Sequence, residues 1–172
     1  LDLVHGGSTL SNSKGYAPPM ELLEILVAAP EATLEERSAV FMEDGAGRLP
    51  IHCAMEVASS PEAIKLLIKA NPTSLVHTTE EALISPLHAA VMNPYVAPLQ
   101  TPETMRLVLR AYVASRHGTY IDGRLALKME DAHGNYPIHY ACRNQVCLEV
   151  LQMFVEEYPK CALFQTPTSE LP

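Results

Sequence analysis

Tryptophan is absent from this 172-residue sequence, and phenylalanine occurs only three times. No apolar run approaches the roughly 20 residues that a membrane-spanning helix needs, so we expect no membrane insertion. Basic residues are scarce as well: 12 Lys and Arg stand against 20 Asp and Glu, which gives a formal net charge of −8. A chain with this charge is poorly suited to binding nucleic acid through phosphate contacts.

Cysteine is also rare, and the four present, Cys53, Cys142, Cys147 and Cys161, form no Cys-x-x-Cys pair. No signal-peptide pattern is recognisable, so we predict reduced, buried thiols in an intracellular protein. The alternative is a redox pair of Cys142 and Cys147, or a disulfide framework; five residues of separation near a helix end disfavour a strain-free bridge. The cytoplasm or nucleus is the expected location, and a plastid or another organelle would fit if a transit peptide precedes Leu1.

An internal repeat is the strongest feature that the sequence does contain. Residues 42–75 align without a gap on residues 129–162. The ten identical pairs are Met42/Met129, Glu43/Glu130, Asp44/Asp131, Gly47/Gly134, Pro50/Pro137, Ile51/Ile138, His52/His139, Ala54/Ala141, Glu62/Glu149 and Pro72/Pro159. Chance rarely produces such an ungapped match, and self-similarity at a fixed offset is typical of repeat architectures.

Two weaker copies extend this pattern. Ser85–Ala90 repeats the Pro-apolar-His-x-Ala core around His88, and Leu3–Gly7 is a degraded copy around His5. We therefore predict one array of four repeats, at about residues 1–41, 42–79, 80–128 and 129–172. The last residues, Glu170–Pro172, would begin a further repeat.

Each unit follows the same order of local signals. An Asp-x-x-Gly turn precedes a short helix that opens with Pro-apolar-His. A second helix then starts at Ser60-Pro61-Glu62 or Thr101-Pro102-Glu103, where an N-cap oxygen, a first-turn proline and an acid coincide. Because a pair of short helices cannot bury its apolar face alone, we expect the pairs to stack side by side.

Asp44-x-x-Gly47-x-x-Pro50-Ile51-His52-x-Ala54, followed by Glu62 and Leu66-Leu67, resembles an ankyrin repeat, in a slightly lengthened form found in many microalgal proteins. The resemblance implies an all-α, ankyrin-like helical repeat solenoid with short hairpin loops. Glu80 and Leu83 stand where the third copy should have Asp and Gly, so the motif predicts no turn there. The residues expected to be structural are Gly47, Gly134, Pro50, Pro86, Pro137, His52, His88 and His139.

Catalytic and metal chemistry find little support in the sequence. Equivalent positions in stacked helices lie roughly 8–10 Å apart, so the regularly placed histidines cannot converge on one zinc ion. Gly45-Ala46-Gly47 lacks the remaining residues of a phosphate-binding loop, and no Gly-x-Ser-x-Gly motif occurs. We therefore expect no enzyme activity, no cofactor and no metal.

Partner binding is predicted at three places. The third copy carries an apolar, proline-containing insertion between its helices, and insertions of this kind often meet a partner. Arg106 and Arg110 lie four residues apart on one helix face and would suit an acidic partner. The ankyrin resemblance adds an inner surface of turn tips and first helices. The candidates are Met92, Tyr95, Val96 and Leu99 in the insertion, Arg106 and Arg110 beside it, and Arg48, Tyr140 and Arg143 on the inner surface.

The resemblance implies non-catalytic binding of another protein, as a scaffold or adaptor. Two alternatives stay open at this point. The chain could be a permanent subunit or assembly factor of a large complex, or a regulatory ankyrin domain of a longer enzyme or channel. The apolar insertion suits the permanent subunit or assembly factor, and the sequence identifies no particular partner.

Overall fold

Proline opens five of the six α-helices in the described part of the chain. The structure is a computed structural model that describes residues 39–114 and 120–166. Proline suits the first helical position because the N–H it lacks would have no partner inside the helix. The helices are α1 (Pro50–Glu56), α2 (Pro61–Ala70), α3 (Pro86–Met92), α4 (Pro102–Leu109), α5 (Pro137–Arg143) and α6 (Leu148–Glu157).

Side-chain oxygens cap several of these helices at the residue before the proline. Ser60 Oγ accepts the N–H of Ala63 at 3.3 Å, and Thr101 Oγ1 accepts the N–H of Thr104 at 3.2 Å. Each bond satisfies one of the backbone donors that the first helical turn leaves without a partner. The second helix of a unit therefore begins where the Ser/Thr-Pro-Glu pattern predicts.

The helices contact one another in two rows. Helices α1, α3 and α5 form the first row and contact each other in that order, and α2, α4 and α6 form the second row in the same way. Contacts between α1 and α2 and between α5 and α6 join the rows. The apolar core lies along these contacts and includes the fully buried side chains of Ile51, Ile64, Leu87, Met105 and Phe154. The prediction of a mainly helical chain is confirmed.

Short 3-10 turns connect the helices. Pro72–Val76 follows α2 and Pro159–Leu163 follows α6, at equivalent places in the two aligned halves. Three more 3-10 turns occupy Ala39–Phe41, Ala97–Leu99 and Gly123–Lys128.

A pair of antiparallel strands departs from the all-α prediction. Strands β1 (Tyr112–Ala114) and β2 (Tyr120–Asp122) pair so that Tyr112 lies opposite Asp122. They lie in and beside a second insertion of the third copy, at about residues 115–128, for which the repeat pattern predicts no strand. The sequence there is rich in tyrosine and β-branched residues, which favour strands. The helical repeat pattern did not reveal it because the insertion interrupts that pattern.

The cysteines differ from the prediction as well. All four are free thiols, and Cys161 is buried, but Cys142 and Cys147 are exposed. The expectation of buried thiols is therefore wrong for these two. Cys142 follows the buried Ala141 on α5 and so points away from the core. Cys147 occupies the N-cap position of α6, whose buried residues begin at Val150.

Two further predictions fall partly or wholly outside this description. The first copy around His5 and the closing Glu170–Pro172 lie outside the described residues.

Within the described ranges, no helix is both long enough and apolar enough to cross a membrane.

Candidate protein-binding surface

Each described core histidine links its own helix to a carbonyl group further along the chain. Nε2 of His52 donates to the carbonyl oxygen of Ile84 at 3.1 Å, and Nε2 of His139 donates to that of Phe164 at 3.0 Å. On the other side of the ring, the N–H of Leu49 donates to Nδ1 of His52 at 3.1 Å. Because a carbonyl can only accept and a backbone N–H can only donate, each ring is held as the neutral Nε2–H tautomer.

Burial favours the neutral form of the His52 and His88 rings. Loss of solvation lowers the pKa of His52 from 6.5 to about 4, and the nearby His77 ring adds to this effect. Burial also lowers the pKa of His88. With both ring nitrogens used in backbone hydrogen bonds, neither histidine has a lone pair left for a metal ion. Within residues 39–114 and 120–166, no cluster of His, Cys, Asp or Glu side chains could hold one.

The Asp-x-x-Gly motifs form two matching turns ahead of α1 and α5. Asp44 Oδ1 accepts the backbone N–H groups of Ala46 and Arg48 at 2.9 and 3.0 Å, and Asp131 Oδ1 accepts those of His133 and Asn135, both at 2.8 Å. Gly47 and Gly134 have φ values of +73° and +74°, where a side chain is unfavourable. The aspartate and the glycine therefore determine the shape of each turn.

A third turn of this kind precedes α3, although the motif did not predict it. Thr79 takes the place of the aspartate: its Oγ1 accepts the N–H of Ile84 at 3.0 Å, and its own N–H donates to the carbonyl of Ile84. Leu83 has the positive φ, 52°, that glycine has elsewhere. The comparison with Glu80 missed this turn because the loop is one residue longer and starts at Thr79.

The three turns lie side by side. The N–H of Ala132 donates to the carbonyl of Ala82 at 3.0 Å, which joins the third turn to the one before α5. A side chain on Gly47 would place its Cβ 3.3 Å from the backbone nitrogen of Glu80. The turns therefore form one continuous edge beside the first helix row.

Side chains at the turn before α1 form an ion network. Arg48 Nη2 lies 2.7 Å from Asp44 Oδ2, and its Nη1 lies 2.8 Å from Glu56 Oε2. The hydrogen bonds from Arg48 and the turn lower the pKa of Asp44 to about 2. Arg48, a predicted partner contact, thus links the turn to the end of α1, and its charge is neutralised by the two carboxylates.

The corresponding place beside α5 holds an aromatic network instead. Tyr140 OH donates to Asp131 Oδ2 at 2.6 Å, and Asn135 Nδ2 donates to the same hydroxyl at 3.3 Å. Burial and the bond to Asp131 raise the pKa of Tyr140 to about 12. Arg143 lies over the Tyr140 ring with its Cζ 5.6 Å from the ring centroid.

The insertion between α3 and α4 is held at one end and exposed at its tip. Ala97 is fully buried, and Gln100 Nε2 donates to the carbonyl of Met55 at the end of α1 at 2.6 Å. In contrast, Tyr95 is 87% exposed and Leu99 is 64% exposed. The segment is therefore both anchored to its neighbour and open to solvent at two large apolar side chains.

The other two predicted residues of the insertion are less open. Met92 ends α3 and is half-buried, as is Val96. Asn144 Nδ2 donates to the carbonyl oxygens of Val91 and Met92, both at 2.7 Å, which attaches the end of α3 to α5. Gln100 and Asn144 were missed as functional positions because each acts on a backbone group 45 or more residues away.

The predicted basic patch lies on the second helix row and is paired with carboxylates. Arg110 Nε lies 2.5 Å from Glu157 Oε1, and Arg106 Nη2 lies 3.7 Å from Glu149 Oε1. Both glutamates belong to α6. These two arginines therefore connect α4 to α6. They lie on or beside the second row, whereas Arg143 ends α5 in the first row and Arg48 lies in the turn before α1.

No protein-family model matches the chain, and no curated protein matches it.

Proposed function

We propose that this chain is an ankyrin-like repeat solenoid that binds another protein without catalysis. The histidine bridges carry the proposal. His52 and His88 each bond the carbonyl two residues before the next Pro-apolar-His helix, at Ile84 and Asn135. Because two successive units are joined by the same bond, we interpret the chain as an array in which each repeat contacts the next.

The paired rows of helices and the adjacent turns support the same proposal. A turn, a first-row helix and a second-row helix recur in one order, and corresponding elements contact each other. Such an arrangement holds surface side chains in fixed positions before binding, which lowers the entropy lost on association.

The insertion supports a role in binding more than one in covering the core. Ala97 and Gln100 attach it to its own unit and to α1, while Tyr95 and Leu99 remain exposed. Tyrosine is favoured at the centres of protein interfaces, and the adjacent exposed leucine adds apolar area that docking would bury. Pro94 and Pro98 restrict the segment and reduce the ordering that docking requires.

A double substitution, Tyr95→Ala with Leu99→Ala, tests the proposal. Capture of partners from the native source should fall while the melting temperature changes little. The matched control is Leu148→Ala with Leu163→Ala, which removes two similarly exposed apolar side chains from α6 and the turn after it. A lower melting temperature with unchanged capture would show that the insertion covers the core and does not bind.

Size-exclusion chromatography of a native extract separates an adaptor from a permanent subunit. An adaptor should elute near its own mass from a native extract and bind partners reversibly. A permanent subunit would elute only within a large complex, in which the exposed Tyr95 and Leu99 would contact the neighbouring protein.

A further inference from the structure

Arg143 differs from every other arginine in the described part of the chain. Arg48, Arg106, Arg110 and Arg124 each lie within 4 Å of a carboxylate oxygen. Within residues 39–114 and 120–166, Arg143 has no such carboxylate neighbour, and it is exposed at the end of α5. Its positive charge is therefore available to an outside group.

Tyr140 holds this charge in place. The Arg143 guanidinium lies over the Tyr140 ring, a favourable cation–π arrangement. The ring is itself fixed, because its hydroxyl is bonded to Asp131 and Asn135 and the ring makes a T-shaped contact with His88, 6.2 Å between centroids. A guanidinium stacked in this way still has an N–H edge that can bind a carboxylate with two hydrogen bonds.

Apolar surface lies next to this cation on the first helix row. Met92 and Arg143 are the last residues of the contacting helices α3 and α5, each four positions after its core histidine. Asn144 bonds the Met92 carbonyl and keeps the two ends together. Glu56 occupies the same position on α1, where Arg48 neutralises it. The row therefore presents a neutral ion pair, then an apolar side chain, then an unpaired cation.

We propose that this surface binds an acidic segment of a partner protein, with a carboxylate on Arg143 and an apolar side chain on Met92 and the adjoining insertion. Charge complementarity carries the assignment. The chain as a whole has a net charge of −8, so most of its surface repels an acidic segment. The lysines of the described ranges, Lys65, Lys69, Lys128 and Lys160, lie outside α1, α3 and α5, so Arg143 is the cation that receives the segment on the first row and fixes its register. A nucleic acid needs several phosphate contacts, and α1, α3 and α5 carry one basic residue between them, Arg143. The inference rests on the proposed protein-binding function and names the chemistry of the partner.

Selection from a phage-displayed library of random 12-residue peptides on the whole chain tests this assignment. Enriched peptides should carry Asp or Glu within a few residues of a large apolar side chain. Their affinity should fall about tenfold or more with Arg143→Gln, because a charge-assisted hydrogen bond is lost, and less with Arg143→Lys. Arg124→Gln is the matched control, since it removes the same charge from an exposed arginine that is paired with Asp122 and should leave binding unchanged.

The outcomes distinguish this inference from the proposed function. Enriched peptides that bind Arg143→Gln as well as the unsubstituted chain, or that show no preference for acids, would overturn the acidic site. If those peptides still lose affinity with Tyr95→Ala and Leu99→Ala, the binding function itself stands. Failure to enrich any peptide, or peptides insensitive to all of these substitutions, would overturn both.

Discussion

Nε2 of His88 donates a hydrogen bond to the carbonyl oxygen of Asn135 at 3.1 Å, across 47 residues of the chain. His88 is completely buried, and its Nδ1 faces the N–H and hydroxyl of Ser85. One side chain therefore completes the N-terminus of α3 and holds the turn that precedes α5. The stability of neighbouring units depends on it.

His88→Ala should lower the free energy of unfolding by about 1–3 kcal/mol, because buried backbone groups lose their partners. His88→Gln should recover part of the loss, since its amide can still donate towards Asn135. Urea unfolding measures both. His133→Ala, on an exposed turn residue, is the control and should stay within about 0.5 kcal/mol of the unsubstituted chain. A loss at His88 no larger than at His133 would contradict the bridging role.

Stability should decrease as the pH falls from about 6.5 to 4. The unfolded chain takes up a proton on His52 near its ordinary pKa of 6.5, whereas the folded chain does so only near 4. The contribution of His52 to the free energy of unfolding is therefore fully present above pH 6.5. About 3 kcal/mol of it is lost by pH 4. His88, whose pKa is also lowered, adds to the loss.

Urea midpoints at pH 7.5, 5.5 and 4.5 measure this dependence. The slope should be shallower in His52→Gln, which does not titrate. Asp44 acts in a lower range, because its folded pKa of about 2 makes its contribution disappear only below pH 4. The centroid of the His77 ring lies 5.7 Å from that of His52, and Nε2 of His77 lies 3.4 Å from Glu43 Oε1. An equal slope in His52→Gln would assign the effect to groups other than His52.

Opposite substitutions at the turns should have opposite effects. Gly47→Ala should cost about 1–2 kcal/mol, because alanine is strained at a φ of +73° and its Cβ would approach Glu80. Leu83→Gly relieves a non-glycine residue at a φ of 52° and should be neutral or stabilising by up to about 1 kcal/mol. Thermal or urea unfolding of the two variants in parallel measures both effects. A clear loss of stability in Leu83→Gly would rule out strain at that turn.

The two ion pairs between α4 and α6 should contribute unequally. Glu157 is only 15% exposed and lies 2.5 Å from Arg110, whereas Arg106 and Glu149 are both exposed and 3.7 Å apart. A double-mutant cycle to alanine should give a coupling of about 0.5–1 kcal/mol for the first pair and close to zero for the second. High salt should weaken both. A larger coupling for Arg106 and Glu149 would contradict the observed geometry.

Helix starts and turn glycines were accessible to sequence reasoning because their causes are local. Pro50, Pro86 and Pro137 each open a helix, as a residue with fixed φ and no N–H is suited to do. Gly47 and Gly134 follow an aspartate at a spacing that requires a positive φ. The mainly helical character follows from these signals repeated along the chain.

Contacts between residues far apart in the sequence determined the features that local patterns did not predict. Gly123 carries no motif, yet a Cβ there would lie 1.8 Å from the carbonyl oxygen of Val108, so only glycine fits against the end of α4. Arg110 and Arg143 look alike in the sequence, but α6 supplies a carboxylate to the first and α5 supplies only an aromatic ring to the second. Packing, which brings residues tens of positions apart into contact, determines which charge is paired and which remains open to a partner.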